Sequence, residues 1–133
     1  MKGETDLAML IKTMMPELNA GEYVFCKTDN LQDIDVAAML CMFKEKEAYT
    51  VVIKKELADK LQLSYTYIAA WITLTVHSSL KAVGLTAAFS KALAENGISC
   101  NVIAAYYHDH IFVDIKDADN AVKVLKLLST GKH

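Results

Sequence analysis

Two short polar junctions interrupt the otherwise apolar stretch from Ile72 to Ile115, and this pattern constrains the fold more than any other feature of the chain. The first junction is His77-Ser78-Ser79, and the second is His108-Asp109-His110. Apolar side chains alternate before the first junction, which predicts a strand over Trp71–His77. The first junction is expected to be a polar loop that leads into a helix, and the second a tight turn between two strands.

The segment between the junctions predicts a helix followed by two strands. Residues 84–96 place apolar side chains at helical spacing, and Gly97 directly after them predicts a left-handed stop. Strands are predicted over Ile98–Ala105 and Ile111–Ile115, and a last helix is expected to be capped by Asp117. The order strand, helix, strand, strand, helix is most of a ferredoxin-like unit.

The first half of the chain predicts elements of its own. Residues 5–15 have helical spacing, Thr5 or Asp6 can cap this helix, and Pro16 ends it. A turn is expected at Asn19-Ala20-Gly21. The remaining predicted elements are strands over Glu22–Thr28, Ala37–Lys44 and Tyr49–Ile53, a charged hairpin turn at Lys44–Glu47, and a short helix over Lys55–Leu63.

Composition excludes several classes of function. The 133 residues contain no arginine and no lysine cluster beside aromatic side chains, which disfavours nucleic-acid binding. The three cysteines form no C-x-x-C pair, so neither a zinc knuckle nor a disulfide framework is indicated. No apolar run approaches the roughly 20 residues of a membrane span, and no export signal is recognised, so a cytoplasmic protein without membrane contact is expected.

Three strings of residues resemble a family of small bacterial ACT-domain proteins. They are HSSL-x-AVGLTAA from His77, GISCNVIA from Gly97 and YYHDHIFV from Tyr106, and the segment from Pro16 to Phe25 resembles the N-terminal signature of that family. Ala105 departs from the family, in which glycine is expected before the tyrosine pair. The resemblance covers essentially the whole chain.

The resemblance implies an α+β fold of two ACT or ferredoxin-like halves (βαββα type), with antiparallel sheets and helices on one face. An abbreviated ACT-like half is expected over residues 1–68, and a full ACT domain over residues 69–133. It also implies a regulatory or sensor module without catalysis. Such a module is expected to bind an amino acid or related metabolite where ACT units pair, in a homodimer or a dimer of dimers, without a cofactor.

The same resemblance places the ligand at the loop after the strand Trp71–His77, and the residues themselves suggest how it would bind. Backbone N–H groups at a helix start can bind a carboxylate, Gly84 allows close approach, and Asn101 offers a donor and an acceptor. Helix capping by Ser78 or Ser79 explains the serines equally well. The residues predicted to bind the ligand are Ser78, Ser79, Val83, Gly84, Leu85, Thr86, Asn101, His108, Asp109 and His110.

Two other functions stay open at the level of sequence. His108 and His110 are two residues apart, so on an extended chain they point the same way, and with His77 they can form a three-imidazole metal site or a histidine-dependent active site. No G-x-S-x-G, P-loop or H-E-x-x-H motif supports an enzyme, so no catalytic or metal-binding residue is predicted. The third possibility is a structural partner subunit.

Overall fold

The computed structural model describes residues 6–76 and 84–131. Within them the elements in chain order are α1 (Leu7–Thr13), β1 (Met15–Thr28), β2 (Cys41–Lys44), β3 (Tyr49–Lys54), α2 (Lys55–Lys60), β4 (Ala69–Thr75), α3 (Leu85–Glu95), β5 (Cys100–Ala104), β6 (Asp109–Asp114) and α4 (Ala118–Ser129). Single turns of 3-10 helix occupy Leu31–Asp33, Val36–Ala38 and Ile115–Asp117. No helix among these residues is long and apolar enough to cross a membrane.

The chain forms two compact units. The first contains the described residues up to Ala20 together with those from Ala70 onward, and the second is Gly21–Ala69. Strand β1 therefore contributes its first residues to one unit and its last residues to the other. The domain boundary expected between residues 68 and 69 stays a prediction. Helix α1, from the first half of the sequence, packs against α3 and α4 from the second half.

The first unit is a sheet with helices on one face. Its strands are hydrogen-bonded in the order β1-β4-β6-β5. Alternate residues of β4 and β6 face the helices, as do the apolar stripes of α1, α3 and α4. The fully buried side chains of this core include Leu10, Met14, Ile72, Leu74, Phe89, Leu93, Ile111 and Leu125. The predicted order of strand, helix, strand, strand and helix in this part of the chain is confirmed.

The second unit is a smaller antiparallel sheet with its own core. Strand β3 is central, with β1 on one side and β2 on the other. Val51 and Ile53 of β3 pack with Val24 and Cys26 of β1, and Ala58 of α2 closes this cluster. The charged hairpin predicted at Lys44–Glu47 joins β2 to β3.

Helix ends follow the sequence in two places and differ in a third. The Asp6 carboxylate accepts a hydrogen bond from the Met9 amide at 3.3 Å, so the predicted cap of α1 is confirmed. Gly97 has φ +73 after α3, as a left-handed stop requires. Asp117 precedes α4, but its side chain makes no capping bond. The carboxylate of Asp114 instead accepts from the Lys116 amide at 3.1 Å, because a 3-10 turn leads into the helix.

Two predicted elements are wrong. Asn19-Ala20-Gly21 is not a turn but lies within β1, because the neighbouring strand satisfies the Asn19 side chain and Gly21 takes φ +106. The strand predicted from Ala37 begins only at Cys41. The carboxylate of Asp35 accepts from the Ala37 amide at 3.1 Å and starts a 3-10 turn there, so local side-chain bonding overrides the apolar pattern.

Candidate functional site

Helix α3 begins at a glycine whose conformation no other residue adopts easily. Gly84 has φ +96, and a Cβ added to it would lie 3.0 Å from Cδ2 of Leu7. The predicted residues Ser78, Ser79 and Val83, and also His77, lie outside the described residues. Gly84 is therefore where the described part of the predicted ligand loop begins, and a side chain there would be both strained and crowded.

The first turn of α3 contains three backbone donors that have no partner within the helix. The first bond within the helix runs from the Ala88 amide to the Gly84 carbonyl at 2.9 Å, so the amides of Leu85, Thr86 and Ala87 have no partner within the helix. Gly84 has no side chain to cap them, and the first turn contains no acidic residue. Leu85 buries its side chain in the core, whereas Thr86 is exposed. This end of the helix suits an anionic group.

His110 stands at the centre of a hydrogen-bond network on the other face of the sheet. The indole N–H of Trp71 donates to Nδ1 of His110 at 3.1 Å, and Oγ1 of Thr73 lies 3.2 Å from the same nitrogen. The Asn19 amide donates to Oγ1 of Thr73 at 3.0 Å and to the Trp71 carbonyl at 3.2 Å. An indole can only donate, so Nδ1 of His110 accepts and its proton is on Nε2.

Burial shifts the pKa of two neighbouring groups in β6. It lowers the pKa of His110, and the charge of His108 lowers it further, while Asp109 acts in the opposite direction. Asp109 faces the helix side of the sheet, opposite Ala104, and is buried. Its pKa is raised by burial, against the charges of His110 and His108. Both groups are therefore driven toward their neutral forms.

The two histidines of the second junction are close together. Their ring centroids are 6.5 Å apart and the rings are nearly perpendicular at 78°. Nδ1 of His108 is buried without a hydrogen-bond partner. Within residues 6–76 and 84–131, no group of three histidine, cysteine, aspartate or glutamate side chains is arranged to hold a metal ion. The three-imidazole site stays a prediction, since His77 falls outside that part of the chain.

The register of β5 and β6 separates the predicted residues onto two faces. Asn101 pairs with Phe112 and Ile103 pairs with His110, so Asn101 and His110 share the face that points away from α3. The Leu85 side chain lies in the core on the helix face. The structure thus brings Asn101 and the histidine pair to one side of the sheet. It places the Leu85 side chain, at the start of α3, on the helix side of the sheet.

Sequence reasoning missed the partners of His110. Trp71, Thr73 and Asn19 contact it directly or through one another, and none is among the predicted site residues. The signal is present in part, because Thr73 and Thr75 form an unusually polar strand face in the sequence. Asn19 carries no such signal, since its sequence context predicts a turn.

Comparisons with known proteins agree on one family. A family model described as an ACT domain matches residues 2–70, and a second model with the same description matches residues 66–126. A search of curated proteins found no match. The two matches, together with the sheets and helices of the two units, confirm the predicted fold class of two ACT-like, ferredoxin-like halves.

Solved structures show the same architecture. A Vibrio cholerae protein of unknown function, described as a possible transport protein, is 44% identical with a TM-score of 0.84 and covers 94% of this chain and 97% of its own. An Agrobacterium tumefaciens protein is 13% identical with a TM-score of 0.70, and the alignment covers 87% of this chain and 89% of that protein. The ligand-free regulatory subunit of Thermus thermophilus aspartate kinase is 11% identical with a TM-score of 0.61, and the alignment covers 89% of this chain and 98% of that subunit. The latter two similarities concern the fold alone.

Proposed function

Because the chain belongs to the ACT-domain family, we propose that it is a non-catalytic regulatory module that binds an amino acid or a related metabolite where two ACT units pair. The observation that carries this proposal is the start of α3. There three backbone amides, a positive-φ glycine and the absence of an acidic side chain favour a carboxylate. Ser78, Ser79 and Val83 precede this helix in the chain and are proposed to complete the same site.

The second polar group of an amino acid needs a partner as well. We propose that Asn101, His108 and His110 line the site of a paired unit, and that Asp109, buried on the opposite face of β6, supports the two histidines. Asn101 is exposed on β5, which has a strand neighbour on one side only within the described chain. A second copy of the chain is proposed to pair along this edge, because an edge strand presents unpaired backbone groups. The ligand then acts by stabilising one arrangement of the pair.

A thermal-shift and calorimetric screen against the amino acids tests the proposal. A ligand that binds only the folded protein at 100 times its Kd stabilises it by about 2.7 kcal/mol, which raises Tm by several degrees. Light scattering after size exclusion reports whether the protein is a dimer. A folded sample in which no amino acid raises Tm would refute ligand binding, and a strict monomer would refute the paired site.

A matched pair of substitutions localises the ligand carboxylate. Thr86→Glu adds a negative charge to the exposed first turn of α3, where it should compete with the ligand and weaken binding by roughly two- to five-fold. Thr86→Gln has nearly the same shape without the charge and should leave Kd unchanged. Because a carboxylate at this turn favours the helix, Thr86→Glu should not lower Tm, which separates weak binding from poor folding. Equal Kd values for the two variants would contradict the assignment.

A further inference from the structure

The side chain of Asp109 is buried without a partner in the described chain. It is 8% exposed, yet it makes no hydrogen bond or ion pair with residues 6–76 and 84–131. Among the same residues, Nδ1 of His108 is the one side-chain polar atom that is both sealed from solvent and unpartnered. The carboxylate oxygens of Asp109 therefore still touch solvent. Asp109 is thus a buried acceptor that a small molecule can reach.

The unpaired carboxylate of Asp109 opposes folding. Burial raises its pKa, and no lysine of the described chain forms an ion pair with it. His110 supplies no cation at neutral pH, because burial lowers its pKa, and its ring lies on the opposite face of β6. A buried carboxylate that lacks a structural partner and has a shifted pKa is typical of a functional site.

The course of the chain places Asp109 at the end of the sheet where α3 begins. Helix α3 runs back along the sheet between β4 and β5, so these two strands run in the same direction. Strand β6 is antiparallel to β5, with Asp109 opposite Ala104. The start of β6, the end of β4 and the start of α3 therefore lie at one end of the sheet.

Asp109 also faces the side of the sheet that α3 covers. Ile111 and Val113 alternate with the outward-facing residues of β6 and belong to the core beneath the helices, as does Leu85 of α3. Helix α3 packs on β5, the strand that pairs with β6. Asp109 and the first turn of α3 thus share one end and one side of the sheet.

We propose that Asp109 binds the ammonium group of the small molecule whose carboxylate is bound at the start of α3. This inference rests on the proposed function and assigns the two charged groups of the ligand to different elements. The amides of residues 85–87 favour a negative group, and no acidic side chain occupies that turn. The carboxylate of Asp109 favours a positive group. Asp109 therefore selects an amino acid over a plain carboxylic acid, in addition to supporting the two histidines.

Asp109→Asn tests the assignment, because the amide keeps the shape of the side chain and removes its charge. Calorimetry with the full-length protein compares each L-amino acid with the acid of the same carbon skeleton that lacks the amino group, such as L-leucine with 4-methylpentanoate or L-phenylalanine with 3-phenylpropanoate. The wild type should bind the preferred amino acid about ten- to a hundred-fold more tightly than the deaminated acid. Asp109→Asn should remove most of this difference and leave the Kd of the deaminated acid unchanged.

Asp119→Asn provides the matched control. It removes the same charge from an exposed residue in the first turn of α4. Because α4 follows the end of β6, Asp119 lies at the other end of the sheet from Asp109. This variant should keep the preference for the amino acid. A preference that survives Asp109→Asn, or that is lost equally in both variants, would overturn the role of Asp109.

Unfolding without any amino acid gives a second readout of the same variant. Asp109→Asn should raise Tm, because it no longer buries an unpaired charge. A lower Tm would show that the carboxylate has a structural partner and would overturn the inference.

The outcomes also separate this inference from the proposed function. Wild-type protein that binds an amino acid and its deaminated counterpart equally well would refute the role of Asp109 while leaving the proposed function standing. Absence of binding by every amino acid would refute both.

Discussion

The hydrogen bond between Trp71 and His110 predicts a pH-dependent change in the only tryptophan of the chain. A protonated imidazole carries N–H groups on both nitrogens, so Nδ1 of His110 can no longer accept from the indole. Acidification should therefore break this bond and alter the fluorescence of Trp71. Thr73, which also meets Nδ1, can turn its hydroxyl to accept instead.

The direction of the pH effect follows from the pKa of His110. Burial holds this pKa below that of an unfolded histidine, about 6.5. At pH values between the folded and the unfolded pKa of His110, the unfolded chain binds more protons than the folded chain. The contribution of His110 to stability is therefore complete above about pH 6.5 and is lost as the pH falls through its folded pKa. His108 and Asp109 are the charged groups that act on it.

The expected coupling free energy between Trp71 and His110 follows from the one hydrogen bond that joins their side chains. A neutral hydrogen bond contributes about 0.5–1.5 kcal/mol net. A double-mutant cycle of Trp71→Phe and His110→Gln, measured by urea unfolding at pH 8, should give a coupling free energy in this range. As the pH falls below the folded pKa of His110, the coupling should approach zero.

Fluorescence titration provides the direct assay and its control. The wild-type emission of Trp71 should titrate with a midpoint below pH 6.5, and His110→Gln should remove that transition. His108→Gln should keep the transition and move it to higher pH, because the charge of His108 lowers the pKa of His110. An unchanged titration in His110→Gln, or a coupling near zero at pH 8, would refute the reasoning.

Two further predictions concern stability. Gly84→Ala and Gly97→Ala both place a side chain at positive φ, which costs about 1–2 kcal/mol, but only the former adds a contact 3.0 Å from Leu7. Urea unfolding should therefore show the greater loss for Gly84→Ala, and Leu7→Ala should recover the difference; equal losses would contradict the crowding between residue 84 and Leu7. Asp109→Asn should raise the unfolding free energy at pH 7 by about 1 kcal/mol, because burial raises the pKa of this carboxyl and its ionised form opposes folding above pH 3.8. This gain should vanish near pH 3, and a loss of stability at pH 7 would show that the ionised carboxylate has an essential partner.

Local sequence signals predicted much of the fold. The stripe of α3, its stop at Gly97 and the Asp6 cap each depend on residues within a few positions of one another. The error at Asn19 has the opposite cause, because its side chain is satisfied by residues more than 50 positions away. Turn propensity at that position yields to pairing with a distant strand.

The candidate site was less accessible to sequence reasoning for the same reason. The spacing of His108 and His110 correctly suggested that they point the same way, and their rings do meet. Which strand faces His110 depends on sheet order, so Trp71 and Thr73 could not be assigned to it. The single turn at Val36–Ala38 depends on a hydrogen bond to the Asp35 side chain, whereas the apolar residues from Ala37 had suggested a strand.

The division of β1 between the two units has a consequence for synthesis of the chain. Asn19 emerges 52 residues before the Trp71 carbonyl to which it donates. At roughly 5–20 residues per second, this segment waits about 3–10 s for its partner. All residues of the second unit are made within that interval, since they end at Ala69. Synthesis of the first unit thus starts before that of the second and ends after it. Its early apolar residues, including Leu10 and Met14, lack the rest of their core until α4 has been made.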